Sequence, residues 1–558
     1  MNPLLLTDAY KTGHHKQYPE GTTLVYSNFT PRSNKYAPKG YDHVVSFGMQ
    51  AVFKFIDQIF VNDFFKKPKE EVCGEMKREL SLYLNTDYDV SHFEALHDLG
   101  YLPICVKTIE EGSLVPMKVP VLTIYNTHPD FFWVTNYLET LISNLLWKPL
   151  TSATIAFQYK KLLTEWALKT DKENVDFVDF QAHDFSMRGL SGIDCAVFSG
   201  LGHLTSFKGT DSLPAIWGAR QFYGMIGSKE DPFIAGSVNA TEHSVMCAGG
   251  KEDELETFRR LLSTYPTGIL SIVSDTWDLW KVLTEYLPIL RNEIMARDGK
   301  IVIRPDSGKP TDIICGDSVL KYENLKKAKD KFEQNIHDMQ EHGEQGDDEY
   351  DCISKIGDKF YKLNAEIEWN RYDKQYYHIE GIRISEEEYY LNNKEKGVIE
   401  LLWDIFGGTV NSQGYKVLDP HIGAIYGDSI TLEVAEDICQ RLQAKGFAST
   451  NIIFGIGSFT YQMNTRDTFG FAMKSTYVEI NGQGHNIFKD PITDDGMKKS
   501  ATGLLGVGIL PENKEFILVN GCSWEVEKTG SLQEIYRDGN FSNQTNLENI
   551  RKKLKERL

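Results

Sequence analysis

From about residue 178 the chain repeats one pattern: a short apolar strand, a polar turn, then a helical stretch. The predicted strands are Phe177–Phe180, Ile234–Ser237, Ile269–Ser274, Ile301–Ile303, Ile422–Tyr426 and Ile452–Phe454. Strands joined by helical crossovers run parallel, and a parallel sheet is buried on both faces. The array therefore predicts an α/β barrel, with a doubly wound open sheet as the competing topology. No Gly-x-Gly-x-x-Gly follows the first strand, which weighs against the open dinucleotide-binding sheet.

The stretch Ile301 to Pro310 shows what one unit can carry. Ile301-Val302-Ile303 is a β-branched run of the kind buried on both faces. Arg304-Pro305-Asp306-Ser307-Gly308 ends it and leaves an Arg and an Asp at the strand's C-terminal mouth. Ligands of α/β sheets and barrels bind at that end. Alone, these ten residues read equally as an ordinary strand-to-helix turn with a surface ion pair. The neighbouring turns add His183 to Gly189, Phe207 to Asp211, Thr241 to Ser244, Ser274-Asp275, Gly427-Asp428 and Gly455 to Ser458. Arg188 and Arg304 can fork onto phosphate oxygens. Glycine-rich turns entering helices offer backbone N–H groups to phosphate. Asp306 and Asp428 can accept from ribose hydroxyls or hold Mg2+ through water. Each residue also has a structural reading as turn or helix cap. The array as a whole fits an anionic sugar phosphate.

Composition bounds the partners. Among 558 residues, 79 are acidic and 60 basic, for a net charge of −19. That argues against general binding to nucleic acid or anionic membranes. Eight scattered Cys with no Cys-x-x-Cys read as reduced thiols, and no apolar run is long enough for a signal peptide or membrane span. The expected compartment is the cytoplasm.

Around the array, residues 44–60 read as a strand edge running into an apolar helix. Residues 102–125 hold two or three strands, with turns at Glu111-Gly112 and Val115-Pro116. Helices are predicted over 130–146, capped by Asp130, and over 152–168. The His14-His15 pair is not expected to share a metal, because adjacent side chains diverge. Residues 320–396 are charged and poor in aliphatics, which predicts an insertion of one or two exposed helices and mobile loops. The C-terminal part predicts a strand over Phe516–Val519 and a basic helix acting as a solvated cap.

Several stretches together resemble the nicotinamide phosphoribosyltransferases, type II phosphoribosyltransferases. They include TDAYKTGHHKQYP, HDFSMRGLSG, SFKGTD, SVNATEHS, VSDTWD, IRPDSGKP, YGDSI, NIIFGIGS and TRDTFGFAMKS. The resemblance implies an irregular parallel α/β barrel over 151–464 and an α+β domain from 1–150 and 465–558. It implies transfer of phosphoribose from 5-phosphoribosyl pyrophosphate to nicotinamide, releasing pyrophosphate, in NAD salvage. It further implies Mg2+, ATP as co-substrate, and a homodimer with shared sites.

By the same resemblance, Phe185 and the Tyr10 of a second subunit stack on the pyridine, while Asp211 and Arg188 read its carboxamide. Arg304, Asp306, Asp428 and Gly427 hold the ribose phosphate, with Ser237 and Ser271 also facing substrate. Gly457 and Ser458 hold the 5′-phosphate. Arg32, Arg466 and Lys474 meet pyrophosphate or ATP. His243 is phosphorylated, with Asp275 and Glu242 orienting its ring. Two departures stand out: Gly-Ile-Gly-Ser-Phe at 455–459 in place of the family's Gly-Ser-Gly-Gly-Gly, and Gly423-Ala424 where an Arg usually stands. Nicotinate phosphoribosyltransferase is the nearest alternative, and a non-catalytic binding protein on the same scaffold the more distant one.

Overall fold

The computed structural model describes residues 1–38, 40–224, 233–339, 349–370, 372–378, 381–384, 389–427, 429–488 and 501–558. Contacts divide the chain into two units. One comprises 1–160, 184–236 and 458–558; the other comprises 161–183 and 237–457. Residues 184–236 thus group with the terminal parts, whereas the strand–turn–helix rhythm alone assigns them to the barrel.

The first unit is built on an antiparallel sheet that interleaves the two ends of the chain. Its order is Gln483–Asn486, Ala472–Ile480, Thr22–Thr30, Leu122–Asn126, Ile104–Ile109, Leu532–Arg537 and Asn540–Phe541. Thr22–Thr30 is almost wholly buried, because its central position takes both faces out of water. The strand His43–Val45 and the apolar helix Met49–Phe60 follow as expected. Val115-Pro116 is not a turn: Leu114–Pro116 is a strand paired with His43–Val45, and the chain turns at Lys118, whose φ is 71°.

The two helices expected over 130–146 and 152–168 are one helix, Glu139–Thr170, with Pro149 inside it. A proline costs a helix one backbone hydrogen bond. Here Leu146, Leu150 and Ala153 are fully buried on either side of it, and that packing keeps the helix continuous. Asp130 does not cap this helix; it lies in the short turn Pro129–Phe131, where its N–H donates to the His128 ring. The terminal helix Leu547–Lys555 is also more than a solvated cap. Leu547, Ile550 and Leu554 are buried, and Arg551 donates to the carbonyls of Leu204 and Phe207 at 2.7 and 3.1 Å.

The second unit carries the curled parallel sheet. Its strands run Ile452–Ile456, Ile422–Tyr426, Asp298–Arg304, Thr267–Val273 and Asn239–Ala240, each parallel to the next. Two expected strands are displaced. Phe177–Phe180 is helical, because Val178 and Gln181 are buried three residues apart, a helical spacing; the strand is Ala182–Asp184. Ile234–Ser237 gives only an isolated bridge at Gly236, and the strand comes at Asn239–Ala240.

The insertion departs most from expectation. Among the described residues its helix is Leu325–Asp338, lying on a sheet of Val319–Tyr322, Glu349–Ile356, Lys359–Asn370, Gln375–His378 and Arg383–Ile384. Ala328, Phe332 and Ile336 on the helix meet Leu363, Ala365 and Ile367 on the strand as a buried cluster. The strand's period-2 alternation places its charges on the outer face, so a charged composition coexists with a core. Of the insertion, where partly mobile loops are expected, residues 340–348, 371, 379–380 and 385–388 lie outside the described residues.

Candidate active site

In the second unit, parallel strands deliver the predicted residues to one edge of the sheet, at their C-terminal ends. Arg304 ends its strand, and its Nη2 donates to the Thr241 carbonyl at 2.8 Å. Thr241 is held in turn: its N–H donates to the Ser271 carbonyl and its Oγ1 accepts from Val273 N. His243 opens the short helix after this turn and is half-exposed. Its Nε2 lies 3.7 Å from Asp306 Oδ2, and its Nδ1 lies 3.3 Å from Thr276 Oγ1.

Asp275 sits one step back from the ring. Its Oδ2 accepts from Asp306 N at 2.8 Å and from Ser307 Oγ at 2.6 Å. Asp275 therefore fixes the Asp306 loop, and Asp306 is the carboxylate that faces His243. Glu242, expected beside the ring, accepts from the Ser244 hydroxyl instead. Gly427 makes room for Asp306: a Cβ there would stand 2.7 Å from Asp306 Oδ1. Gly457 follows the strand Ile452–Ile456. Ser271 Oγ is buried without a protein partner among the described residues, and Ser237 is exposed. Asp428 lies outside the described residues.

In the first unit, a second group gathers around the turn Asp184 to Gly189. Phe185 is half-buried, while Arg188 and Asp211 are exposed. The Asp211 N–H donates to the Asp184 carbonyl at 3.0 Å, which joins the segment Gly209–Asp211 to the Phe185 turn. Ser458 packs closely on Gly189, where no side chain would fit. Tyr10, on the turn Ala9–Lys16, is 64% exposed, while the adjacent Lys11 is buried and paired with Glu139 at 2.8 Å.

Arg32, Arg466 and Lys474 form a basic cluster in the same unit. Burial pushes the Arg32 guanidinium below its usual range, and Arg466 adds to this. Burial likewise pushes the Lys474 ammonium down; Glu139 opposes the shift, and Arg32, Lys11 and Arg466 reinforce it. Arg32 is half-buried, whereas Arg466 and Lys474 reach the surface, and cations that repel one another are relieved by an anion. Among the described residues, no three His, Cys, Asp or Glu side chains gather to hold a metal ion. The part-exposed carboxylate of Asp306 is chemically suited to the water shell of an Mg2+ ion.

Sequence reasoning left one residue without a role. Asp184 is fully buried, and its Oδ1 accepts from both N and Oγ of Ser186. The signal is local: Asp-x-Ser is the pattern of a side chain that closes its own turn.

A parallel sheet with Arg, Asp and His at its C-terminal edge, together with a phosphate-ready basic cluster, defines the phosphoribosyltransferase class. The comparisons agree. Residues 180–360 and 383–555 match the nicotinate phosphoribosyltransferase family model, and residues 2–95 match the N-terminal domain of nicotinamide phosphoribosyltransferase. A protein of Acinetobacter baylyi named nicotinamide phosphoribosyltransferase is 44% identical over the whole chain and 98% of its own length. One of the same name from Mycoplasma pneumoniae is 32% identical, covering 88% of this chain and 92% of its own. The crystal structure of human nicotinic acid phosphoribosyltransferase superposes with a TM-score of 0.50 at 13% identity, covering 99% of this chain and 93% of that one. The chain belongs to the nicotinate phosphoribosyltransferase family and is an enzyme of phosphoribosyl transfer.

Proposed function

We propose that the chain transfers the phosphoribosyl group of 5-phosphoribosyl pyrophosphate to nicotinamide, giving nicotinamide mononucleotide and pyrophosphate for NAD synthesis. The single observation that carries the choice of pyridine is the Asp211 N–H bond to Asp184. It joins the segment of the exposed Asp211 to the turn that carries Phe185, which supports an acceptor for an amide NH2 next to an aromatic ring. The names of the full-length bacterial relatives support the same acceptor.

Phe185 takes one face of the flat, uncharged ring, and Arg188 donates to its carbonyl oxygen. As pyrophosphate leaves, the ribose gains oxocarbenium character. Asp306 accepts from the ribose hydroxyls and stabilises the spreading positive charge, and Arg304 holds the phosphate oxygens. The pyridine nitrogen then forms the new bond to the anomeric carbon. Bound Mg2+ would supply charge neutralisation of the leaving group. Arg32, Arg466 and Lys474 receive pyrophosphate or the phosphates of ATP.

His243 accepts a phosphoryl group from ATP: the bond to ADP breaks, a P–N bond forms, and hydrolysis of that bond drives the synthesis forward. The Asp306 carboxylate stabilises the ring's positive charge through this cycle. We place the enzyme in the cytoplasm as a homodimer. All eight Cys are free, and among the described residues no helix is long and apolar enough to cross a membrane. For the dimer, Ile193, Leu213 and Trp217 are exposed at 75%, 77% and 51%, a group of large apolar side chains suited to burial against a second copy. Pyrophosphate release measured with each pyridine tests the reading. Faster turnover of nicotinic acid than of nicotinamide overturns it.

A further inference from the structure

We propose that Asp184 is a positioning residue for the pyridine pocket, acting through Phe185 and Asp211 without touching the substrate. The inference rests on the assignment of those two residues to the pyridine. Asp184 is 0% exposed, so its carboxylate is closed off from any ligand at the surface. A buried carboxylate needs donors, and it can only accept. Asp184 takes its donors from the two segments that form the pocket. Its Oδ1 accepts from Ser186 N at 2.9 Å and Ser186 Oγ at 2.6 Å, which closes the turn carrying Phe185. Its Oδ2 lies 3.5 Å from Thr210 Oγ1, and Thr210 Oγ1 accepts from Ser212 N at 2.9 Å. Its backbone carbonyl accepts from Asp211 N at 3.0 Å.

One residue therefore sets both the aromatic face and the carboxylate that reads the ring substituent. Loss of its side chain opens the Phe185 turn and removes the contact with Thr210, which leaves the Asp211 segment held by the backbone bond alone. A flat ligand held between a ring and a directional acceptor then loses its alignment. The side-chain bonds of Asp184 go to Ser186 and Thr210, on the two segments given to the pyridine, so the effect should fall chiefly on that substrate.

The test is steady-state kinetics of the full-length enzyme with both substrates varied. Asp184→Ala is expected to raise KM for nicotinamide about tenfold or more, since small misplacements at a site are costly. KM for 5-phosphoribosyl pyrophosphate and kcat should stay within about threefold, and the preference for nicotinamide over nicotinic acid should narrow. Asp184→Asn, which keeps one acceptor for Ser186, should recover much of the loss. Ser186→Ala gives the same signature at smaller size and carries the test should Asp184→Ala not fold. The proposal is overturned if Asp184→Ala and Ser186→Ala, or Ser186→Ala alone where Asp184→Ala does not fold, leave nicotinamide KM and the pyridine preference within twofold of the parent. It is equally overturned if both substrates' KM and kcat worsen together with a lowered thermal midpoint, the mark of a purely structural role. Asp211→Asn separates the two layers. A changed preference there, with none in the Asp184 and Ser186 variants, removes the positioning role alone. No change there removes the pyridine assignment itself.

Discussion

Asp306 Oδ2 lies 3.7 Å from Nε2 of His243, and Asp306 Oδ1 occupies the space left by the missing side chain of Gly427. In the proposed function one carboxylate would thus serve two tasks, the ribose and the histidine. Asp306→Ala is expected to lower kcat/KM by about a hundredfold or more, the scale of losing one preorganised electrostatic group. Gly427→Ala should approach that loss, because its Cβ must displace the carboxylate. His243→Ala should keep basal transfer within a few-fold and lose stimulation by ATP. The measurement is pyrophosphate release with and without ATP; equal stimulation of parent and His243→Ala refutes the phosphohistidine.

Tyr10 bears on assembly. Its ring is exposed on a segment that Lys11, through Glu139, anchors to the body of its own chain. If a second copy uses that ring, Tyr10→Ala and Asp306→Ala damage different halves of a shared site. Each alone should be nearly inactive, and mixed hybrid dimers should regain up to about a quarter of the parent activity by random pairing. Absence of recovery in confirmed heterodimers excludes sharing.

The parallel strands were legible wherever β-branched residues cluster, as at Ile422–Tyr426, where expectation and structure coincide. Phe177–Phe180 misled because the buried face there is Val178 with the polar Gln181, at a helical spacing of three that the apolar run does not announce. Candidates such as Arg304, Asp306 and Gly427 were legible because each stands at or just after the end of a parallel strand. Which of them meet was not. Asp275 and Asp306 are both carboxylates near His243 in the strand order, and only the fold of the 305–308 loop decides which one reaches the ring.

The insertion was misread because its alternation was hidden beneath charge, and the structure changes what its removal should do. Tyr389 OH donates to Glu395, Glu395 completes a capping box with Asn392, and Lys445 Nζ donates to the Lys396 carbonyl at 3.0 Å. Replacing 320–396 outright removes these ties and should destabilise the unit. Replacing only 323–388 with a Gly/Ser linker keeps them and should leave kcat/KM within about threefold. Phe332→Ala should cost the insertion about 3–5 kcal/mol, as large core truncations do, again with little change in turnover. Limited proteolysis and kinetics read both effects. Lost activity in a folded 323–388 replacement would show that the segment reaches the chemistry.

Glu111 makes stability depend on pH. Burial pushes its carboxyl up to about 7, against hydrogen bonds that favour the charged form. Gln50 N donates to its Oε1 and Tyr223 OH to its Oε2, both at 2.8 Å. The folded pKa exceeds the unfolded one, so the folded state binds more protons between the ordinary carboxyl value and about 7. Stability from this group is full below that window and falls as pH rises through it. The whole change is about 3 kcal/mol. Glu111→Gln keeps an acceptor for Gln50 and cannot titrate. The stability difference between parent and variant should therefore move against the parent from about pH 5 to about pH 8. A difference that is flat across that range sinks the assignment.

Nicotinamide and nicotinic acid differ at one group, a neutral amide against a carboxylate. In the proposed function the Asp211 carboxylate accepts from the amide NH2. Facing a carboxylate it finds no donor and meets a like charge. Losing a hydrogen bond to a charged group costs roughly 1.5–3 kcal/mol, and the like-charge contact adds to that. At roughly 1.4 kcal/mol per factor of ten, a preference of at least about a hundredfold for nicotinamide follows. The bond from Asp211 N to Asp184 holds the residue by its backbone and leaves the side chain exposed, which fits a reader of ligand rather than a buried tie. Asp211→Asn presents a donor to the acid and should narrow the preference chiefly by admitting nicotinic acid. Asp211→Ser should narrow it by weakening the hold on nicotinamide. Competition between the two pyridines in one reaction, read as the ratio of products, measures kcat/KM discrimination directly. A parent enzyme that uses both equally, or a ratio that neither substitution moves, would remove Asp211 as the selector.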